Sequence, residues 1–181
     1  MKRTYNISVF TENRIGILNR ITIIFTRRHL NIESITASEC EVPGVYRYTI
    51  VLQTDEKQVK KVVGQIEKQV EVLKAFYHTN DEVVYQELAL YKIDTELFLE
   101  TSKPEEIVRR HQAHVLSIER GFTMIEKTGQ PNEIQALFQE LEPIGVLEFA
   151  RSGRVAISKP MKTLEKYLEE LKSVTQTLIT V

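Results

Sequence analysis

The first eighty residues switch repeatedly between two hydrophobic periods, and this switching constrains the fold more than any other feature. Apolar side chains alternate in "TYNISVFT" and "YRYTIVLQT", which is typical of half-buried strands. "NIESITASE" and "VEVLKAFYH" also predict strands. Two stretches have helical spacing instead, one with Ile17, Leu18, Ile21, Ile24 and Phe25 on one face, the other with Val59, Val62, Val63 and Ile66. The resulting order β-α-β-β-α-β predicts a ferredoxin-like unit.

The second half of the chain repeats this plan. "VVYQELALYKI", "HVLSIER", "FTMIEKT" and "IGVLEFA" predict strands, and helices are expected at "TSKPEEIVRRH" and from Pro131 onwards. A turn "RSG", a strand "RVAIS" and an amphipathic helix with Met161, Leu164, Leu168 and Leu171 follow. We therefore predict an α+β protein with a domain at 1–79, a second ferredoxin-like domain at 83–173, and a tail at 174–181.

Composition excludes several classes of function. The 24 Lys and Arg residues against 25 Asp and Glu leave no basic excess for nucleic acid or an anionic membrane. No apolar run reaches the roughly 20 residues that span a bilayer. One cysteine, Cys40, permits no intrachain disulfide, and the N-terminus lacks a signal-peptide pattern, so we expect a cytoplasmic protein.

No catalytic constellation is evident. His111 and His114 have a metal-like spacing, but they straddle a predicted helix end and the next strand, and further ligands are missing nearby. Cys40 has no neighbouring base, and no glycine-rich phosphate loop occurs. A metalloenzyme using the two histidines is a distant alternative.

The segment between the first strand and first helix is a candidate anion site. Gly16 immediately precedes the helix, where backbone N–H groups lack intrahelical partners and attract negative charge. Asn13 and Asn31 add amides that both donate and accept, and together these groups suit an α-amino acid. Spacing alone favours a structural role, in which Asn13 caps or turns the loop, Gly16 relieves backbone strain and Asn31 ends the first helix.

A resemblance to a known family favours the amino-acid site over the structural role. "SVFTENRIGILNRITIIFTRRHLNIESI", "ELALYKI" and "EFARSGRVAISK" resemble the small regulatory subunit of acetohydroxyacid synthase, also called acetolactate synthase, whose N-terminal part is an ACT domain. The resemblance implies a non-catalytic homodimer that activates a catalytic large subunit and confers feedback inhibition by a branched-chain amino acid, commonly valine. It implies no cofactor on this chain, with thiamine diphosphate, magnesium and FAD on the catalytic partner.

The same resemblance assigns residues to the effector site at the ACT dimer interface. They are Asn13, Gly16, Ile17 and Leu18 in the first loop and helix, with Asn31 and Ile32 from the partner subunit. Arg151 and Arg154 flank a tight turn, where exposed guanidinium groups would either dock the catalytic subunit or only face solvent. A free-standing ACT-type sensor that regulates another enzyme or a transcription factor is the alternative function.

Overall fold

A computed structural model describes residues 2–159 of the chain, which form two units with one sheet each. The first unit contains residues 2–33, 37–84 and 157–159, and the second contains 34–36 and 85–156. The predicted helix at Met161–Leu171 and the tail at 174–181 lie outside the described residues. Within them, no helix is long and apolar enough to cross a membrane.

The first unit has the predicted β-α-β-β-α-β order. Its elements are β1 (Arg3–Glu12), α1 (Ile17–Thr26), β2 (Ser34–Glu39), β3 (Val45–Thr54), α2 (Glu56–Ile66) and β4 (Val72–Thr79). Residues 34–36, the first half of β2, are grouped with the second unit. The strands are arranged β2-β3-β1-β4, and β1 pairs antiparallel with both β3 and β4. Strand β2 therefore lies at an edge of this sheet.

Helix α1 buries the side chains that the helical spacing predicts, with one exception. Ile17, Ile21, Ile24 and Phe25 are buried. Leu18, expected in the same stripe, is 44% exposed because it lies at the margin of the stripe in the first turn. In α2 the four predicted valine and isoleucine side chains are buried.

Asp55 caps the N-terminus of α2, a position where aspartate is favoured. The Asp55 carboxylate accepts a hydrogen bond from the Gln58 backbone N–H at 2.9 Å, which satisfies one of the unpaired donors of the first helical turn.

The second unit contains one helix more than the sequence predicts. Its elements are β5 (Val83–Ile93), α3 (Thr95–Glu100), α4 (Lys103–Arg110), β6 (His114–Ile118), β7 (Thr123–Gly129), α5 (Pro131–Gly145), β8 (Val146–Arg151) and β9 (Val155–Ser158). The first two residues of β5 and the last two of β9 are grouped with the first unit. The sheet order is β6-β7-β5-β8, and β9 also pairs with β5. The additional element is α3.

The core of the second unit lies between the sheet and the helices. Ala89, Tyr91 and Ile93 of β5 face α5, where Ile134, Leu137 and Leu141 are fully buried. The buried Tyr91 hydroxyl donates to the Ile134 carbonyl at 2.8 Å. Burial raises the pKa of this hydroxyl to about 12, because the charged phenolate is disfavoured away from water.

Candidate functional site

The loop between β1 and α1 is exposed and is held at the end of the sheet by backbone bonds. The Asn13 N–H donates to the Gly44 carbonyl at 3.3 Å, and the Ile17 N–H donates to the Arg14 carbonyl at 3.3 Å. Asn13, Arg14 and Ile15 are all exposed. The loop therefore presents both backbone and side-chain groups to solvent.

Gly16 gives α1 an open N-terminus. Its φ of 84° lies in the left-handed region, which glycine adopts without steric cost, and no side chain caps the first turn. An added Cβ at Gly16 would meet nothing within 4 Å. The positions of Leu18 and Asn19 at the start of α1 leave their N–H groups without intrahelical partners. This arrangement suits a small anion such as a carboxylate.

The side chains of Ile17 and Leu18 differ in their exposure at the start of α1. The Ile17 side chain is buried in the core, so only its backbone faces the loop. The exposed Leu18 side chain stands beside the open N-terminus, where it supplies apolar surface. An open helix N-terminus and an apolar side chain together fit a ligand that carries both a carboxylate and an aliphatic group.

Asn31 and Ile32 lie at the opposite end of the same sheet. The Glu33 N–H bonds to the Val51 carbonyl, whereas the Asn13 loop follows the pairing of Glu12 with Val45. The ten residues of α1 separate the two ends by about 15 Å. One chain therefore does not bring Asn13 and Asn31 together.

The turn after β8 is held within the second unit by a buried ion cluster. The Glu87 carboxylate lies 2.5 Å from Arg151 Nη2 and 3.6 Å from Arg154 Nε. The Arg154 guanidinium also stacks on the Tyr85 ring, 3.8 Å from its centroid. Arg154 is only 6% exposed, so the expectation that both arginines present exposed guanidinium groups is wrong for Arg154.

The residue that explains this cluster, Glu87, was not singled out from the sequence. The alternation of β5 places Glu87 on the same face as the buried Ala89, Tyr91 and Ile93. A carboxylate at a core-facing position of a strand indicates a paired charge, so the alternation of β5 in the sequence already indicates a buried ion pair at Glu87. Ser152 adds to the structural role of the turn, since its hydroxyl accepts from the Leu88 N–H at 2.9 Å.

The two histidines of the metal-like spacing contact different carboxylates. His111 Nε2 lies 2.9 Å from Glu140 of α5, and His114 Nδ1 lies 3.4 Å from Glu126 of β7. The hydrogen bond with His111 lowers the pKa of Glu140. Among residues 2–159, no group of three or more His, Cys, Asp or Glu side chains is arranged to hold a metal ion.

Comparison with known proteins connects both halves of the chain to one family. Residues 7–74 match the model "AHAS small subunit-like ACT domain", and residues 86–160 match "Small subunit of acetolactate synthase". The chain is 39% identical over 160 residues to the acetolactate synthase small subunit of Bacillus subtilis, covering 88% of this chain and 91% of that protein. The small subunit of Mycolicibacterium smegmatis is 32% identical over 158 residues, covering 86% and 91%.

The solved structures agree with the sequence comparisons. The crystal structure of the acetolactate synthase small subunit from Thermotoga maritima superposes with a TM-score of 0.79 at 29% identity, covering 88% of this chain and 99% of that one. The fold, its ACT domain and the matched length all coincide with this group of proteins. The chain belongs to the family of acetolactate synthase small subunits.

Proposed function

We propose that this chain is the regulatory subunit of an acetolactate synthase in branched-chain amino acid biosynthesis. It binds the thiamine-diphosphate-dependent catalytic subunit, raises its activity and transmits feedback inhibition by a branched-chain amino acid, with valine as the expected effector. In this proposal the chain works in the cytoplasm and carries no cofactor, and thiamine diphosphate, magnesium and FAD belong to the catalytic subunit. The observation that carries the proposal is the open N-terminus of α1 at Gly16.

The chemistry at Gly16 matches the polar end of an amino acid. The effector carboxylate accepts hydrogen bonds from the N–H groups of Leu18 and Asn19, where the helix dipole favours negative charge. The Asn13 amide oxygen is available to the effector ammonium, because an amide both donates and accepts. The exposed Leu18 side chain then borders the aliphatic group of the effector.

The second side of the pocket comes from another copy of the chain. Strand β2 lies at an edge of its sheet, where the Thr36 hydroxyl donates to the Arg154 carbonyl at 2.5 Å. A strand edge presents unpaired backbone donors and acceptors. If two β2 strands pair antiparallel, the start of one β2 lies beside the end of the other. This pairing brings Asn31 and Ile32 of the partner subunit to the end of the sheet that carries Asn13. A homodimer therefore completes two equivalent pockets.

Regulation follows from this arrangement by linkage. An effector held between two copies stabilises one arrangement of the dimer over others. If the catalytic subunit prefers a different arrangement, effector and catalytic subunit weaken each other reciprocally.

The proposal is tested with the catalytic large subunit of the same organism. The two chains are co-expressed, co-purified and assayed for acetolactate formation with and without valine, leucine or isoleucine. We expect co-purification, higher activity than the large subunit alone, and inhibition by at least one of these amino acids. A chain that neither co-purifies nor changes acetolactate formation would contradict the proposal.

The effector site is tested separately by removing one amide. Asn13→Ala removes a hydrogen bond to the charged effector, so the inhibitory concentration should rise by about tenfold or more while activation is retained. Asn132→Ala is the matched control, because Asn132 is an exposed asparagine at the start of α5. Equal effector sensitivity of the two variants would show that the effector binds elsewhere.

A further inference from the structure

One end of the second unit exposes large aliphatic side chains that its own core does not use. These side chains, here called the apolar end, are Leu97 and Leu99 of α3, Ile118 of β6 and Leu147 of β8, which are between 42% and 59% exposed. Exposed aliphatic residues are ordinary when scattered, but a group of them at one place on a protein marks an interaction site.

The strand register shows that these residues share one end of the unit. Ile93, the last residue of β5, pairs with Thr123 on one side and with Val146 on the other. Thr123 in turn pairs with Ile118. The apolar residues of β6 and β8 therefore lie at the end where β5 stops and α3 begins.

Two contacts hold the segments of this end together. The Thr95 hydroxyl donates to the Glu119 carbonyl at 2.7 Å, which ties the start of α3 to the hairpin between β6 and β7. Leu97 packs so closely on Gly145 that an added Cβ there would lie 3.0 Å from Leu97 Cδ1. The three aliphatic segments are thus fixed relative to one another before any partner binds.

The segments that form the apolar end are rich in carboxylates. The segments that meet there carry six acidic residues, namely Asp94, Glu96, Glu100, Glu119, Glu142 and Glu148. They carry three basic ones, Lys92, Lys103 and Arg120. Lys92 and Glu148 form an ion pair at 3.6 Å, and Lys92 Nζ also lies 4.9 Å from the centroid of the Phe122 ring. Outside this pair, five acidic and two basic residues remain. The rim of this surface is therefore acidic.

We infer that the apolar end is a docking surface for the catalytic large subunit, through an apolar patch on that subunit with a basic rim. This inference rests on the proposed function. The acidic rim selects this occupant over a second copy of the chain, because two identical acidic rims repel each other when they face. Strand addition at the β6 edge is also disfavoured, because a register shift between Val115 and Ser117 interrupts the strand.

The surface differs from the turn that carries Arg151 and Arg154. Arg151 pairs with Ala89, four residues before the end of β5, whereas Val146 pairs with Ile93. The arginine turn therefore lies toward the other end of β8, and the two docking hypotheses are separable by mutation.

The test is a titration of purified catalytic subunit with purified variants of this chain, measuring acetolactate formation. The double variant Leu97→Lys/Leu99→Lys removes apolar contact and places positive charge against a basic partner. We expect the half-saturating concentration to rise by about tenfold or more. Val155→Lys/Ile157→Lys also adds two lysines at exposed aliphatic residues, which lie on β9 and are each 63% exposed. This control should stay within about twofold of wild type.

The acidic rim is tested by Glu96→Lys/Glu119→Lys. Exposed charges are screened by salt, so the half-saturating concentration of the wild-type chain should rise when the ionic strength is raised from a low value to about 0.3 M. The charge-reversed variant should bind more weakly at low salt and lose this dependence. Circular dichroism verifies that each variant is folded.

The outcomes separate the inference from the proposed function. If wild type fails to bind or activate the catalytic subunit, the proposed function fails. If wild type activates and the folded Leu97→Lys/Leu99→Lys variant does so at the same concentration, only the docking surface is refuted. A variant that changes oligomeric state in sedimentation but not half-saturation would assign the surface to contacts between copies, and would also refute it.

Discussion

At the scale of single residues, Glu87 shows how a buried charge organises a segment that the sequence suggested for another role. It is 6% exposed and faces two arginines, one of which is buried with it. Removing a charge from water is costly, and a buried ion pair is tolerable only while every charge in it keeps its partner. The turn between Arg151 and Arg154 is therefore fixed by its interior contacts.

This account predicts a large effect of a small change. Glu87→Gln retains size but removes the charge that compensates the Arg154 guanidinium, so it should lower the free energy of unfolding by about 3 kcal/mol. Glu148→Gln is the control, since Glu148 is largely exposed and its ion pair with Lys92 should contribute less than about 1 kcal/mol. Urea denaturation followed by circular dichroism measures the free energy of unfolding of both variants. If both variants lose the same free energy of unfolding, the buried ion pairs of Glu87 contribute no more than an exposed one.

At the scale of elements, hydrophobic period predicts the long helices and strands well and the short or marginal ones poorly. The β-α-β-β-α-β order, the buried faces of α2 and α5, and the Asp55 cap all follow from spacing and cap chemistry. Helix α3 was missed because its six residues are too few to establish a helical period. Its start signal was nevertheless present, since the Asp94 carboxylate accepts from the Glu96 N–H at 2.8 Å.

The candidate effector site was predictable only in part. Gly16 before a helix indicates an open N-terminus, and the structure has one. The exposure of Leu18 was not predictable from its spacing, because a margin position of a helix is buried or open according to what packs beside it. The separation of Asn13 from Asn31 depends on strand register, which short-range patterns do not determine.

Helices α4 and α5 are joined by contacts of the Glu140 carboxylate, whose contribution to stability we expect to depend on pH. Glu140 of α5 accepts from His111 and pairs with Arg110, both at the end of α4. These contacts, with the His111 hydrogen bond largest, hold the pKa of Glu140 below its ordinary value. A carboxyl group with a lowered pKa in the folded state stabilises the fold above its unfolded pKa, and this stabilisation is lost as pH falls through the folded pKa.

We therefore expect Glu140→Gln to lower the urea midpoint at pH 7 and to have little effect at pH values well below 4. The comparison of wild type with the variant at each pH cancels the titration of all other carboxyl groups. A difference between the two proteins that is unchanged across this range would show that the Glu140 contacts do not depend on its charge.

At the scale of the whole molecule, the placement of Asn13 and Asn31 makes the proposed site a property of two copies. In the proposed homodimer, each chain contributes its Gly16 end to one pocket and its Asn31 end to the other. Loss of the same asparagine from both copies should remove high-affinity effector binding, since every pocket then lacks one of its polar groups. Loss of Asn13 from one copy and of Asn31 from the other has a different result.

A mixed dimer distinguishes a shared pocket from one contained in a single chain. In a dimer of one Asn13→Ala chain and one Asn31→Ala chain, one pocket loses both asparagines and the other retains both. Calorimetry of mixed dimers, isolated through two different affinity tags, should therefore find one high-affinity effector site per dimer, against two in wild type and none in either variant homodimer. If each pocket belonged to one chain, both pockets of the mixed dimer would be defective and no high-affinity site would remain. Reappearance of one site in the mixture is thus a result that only a pocket shared between copies produces.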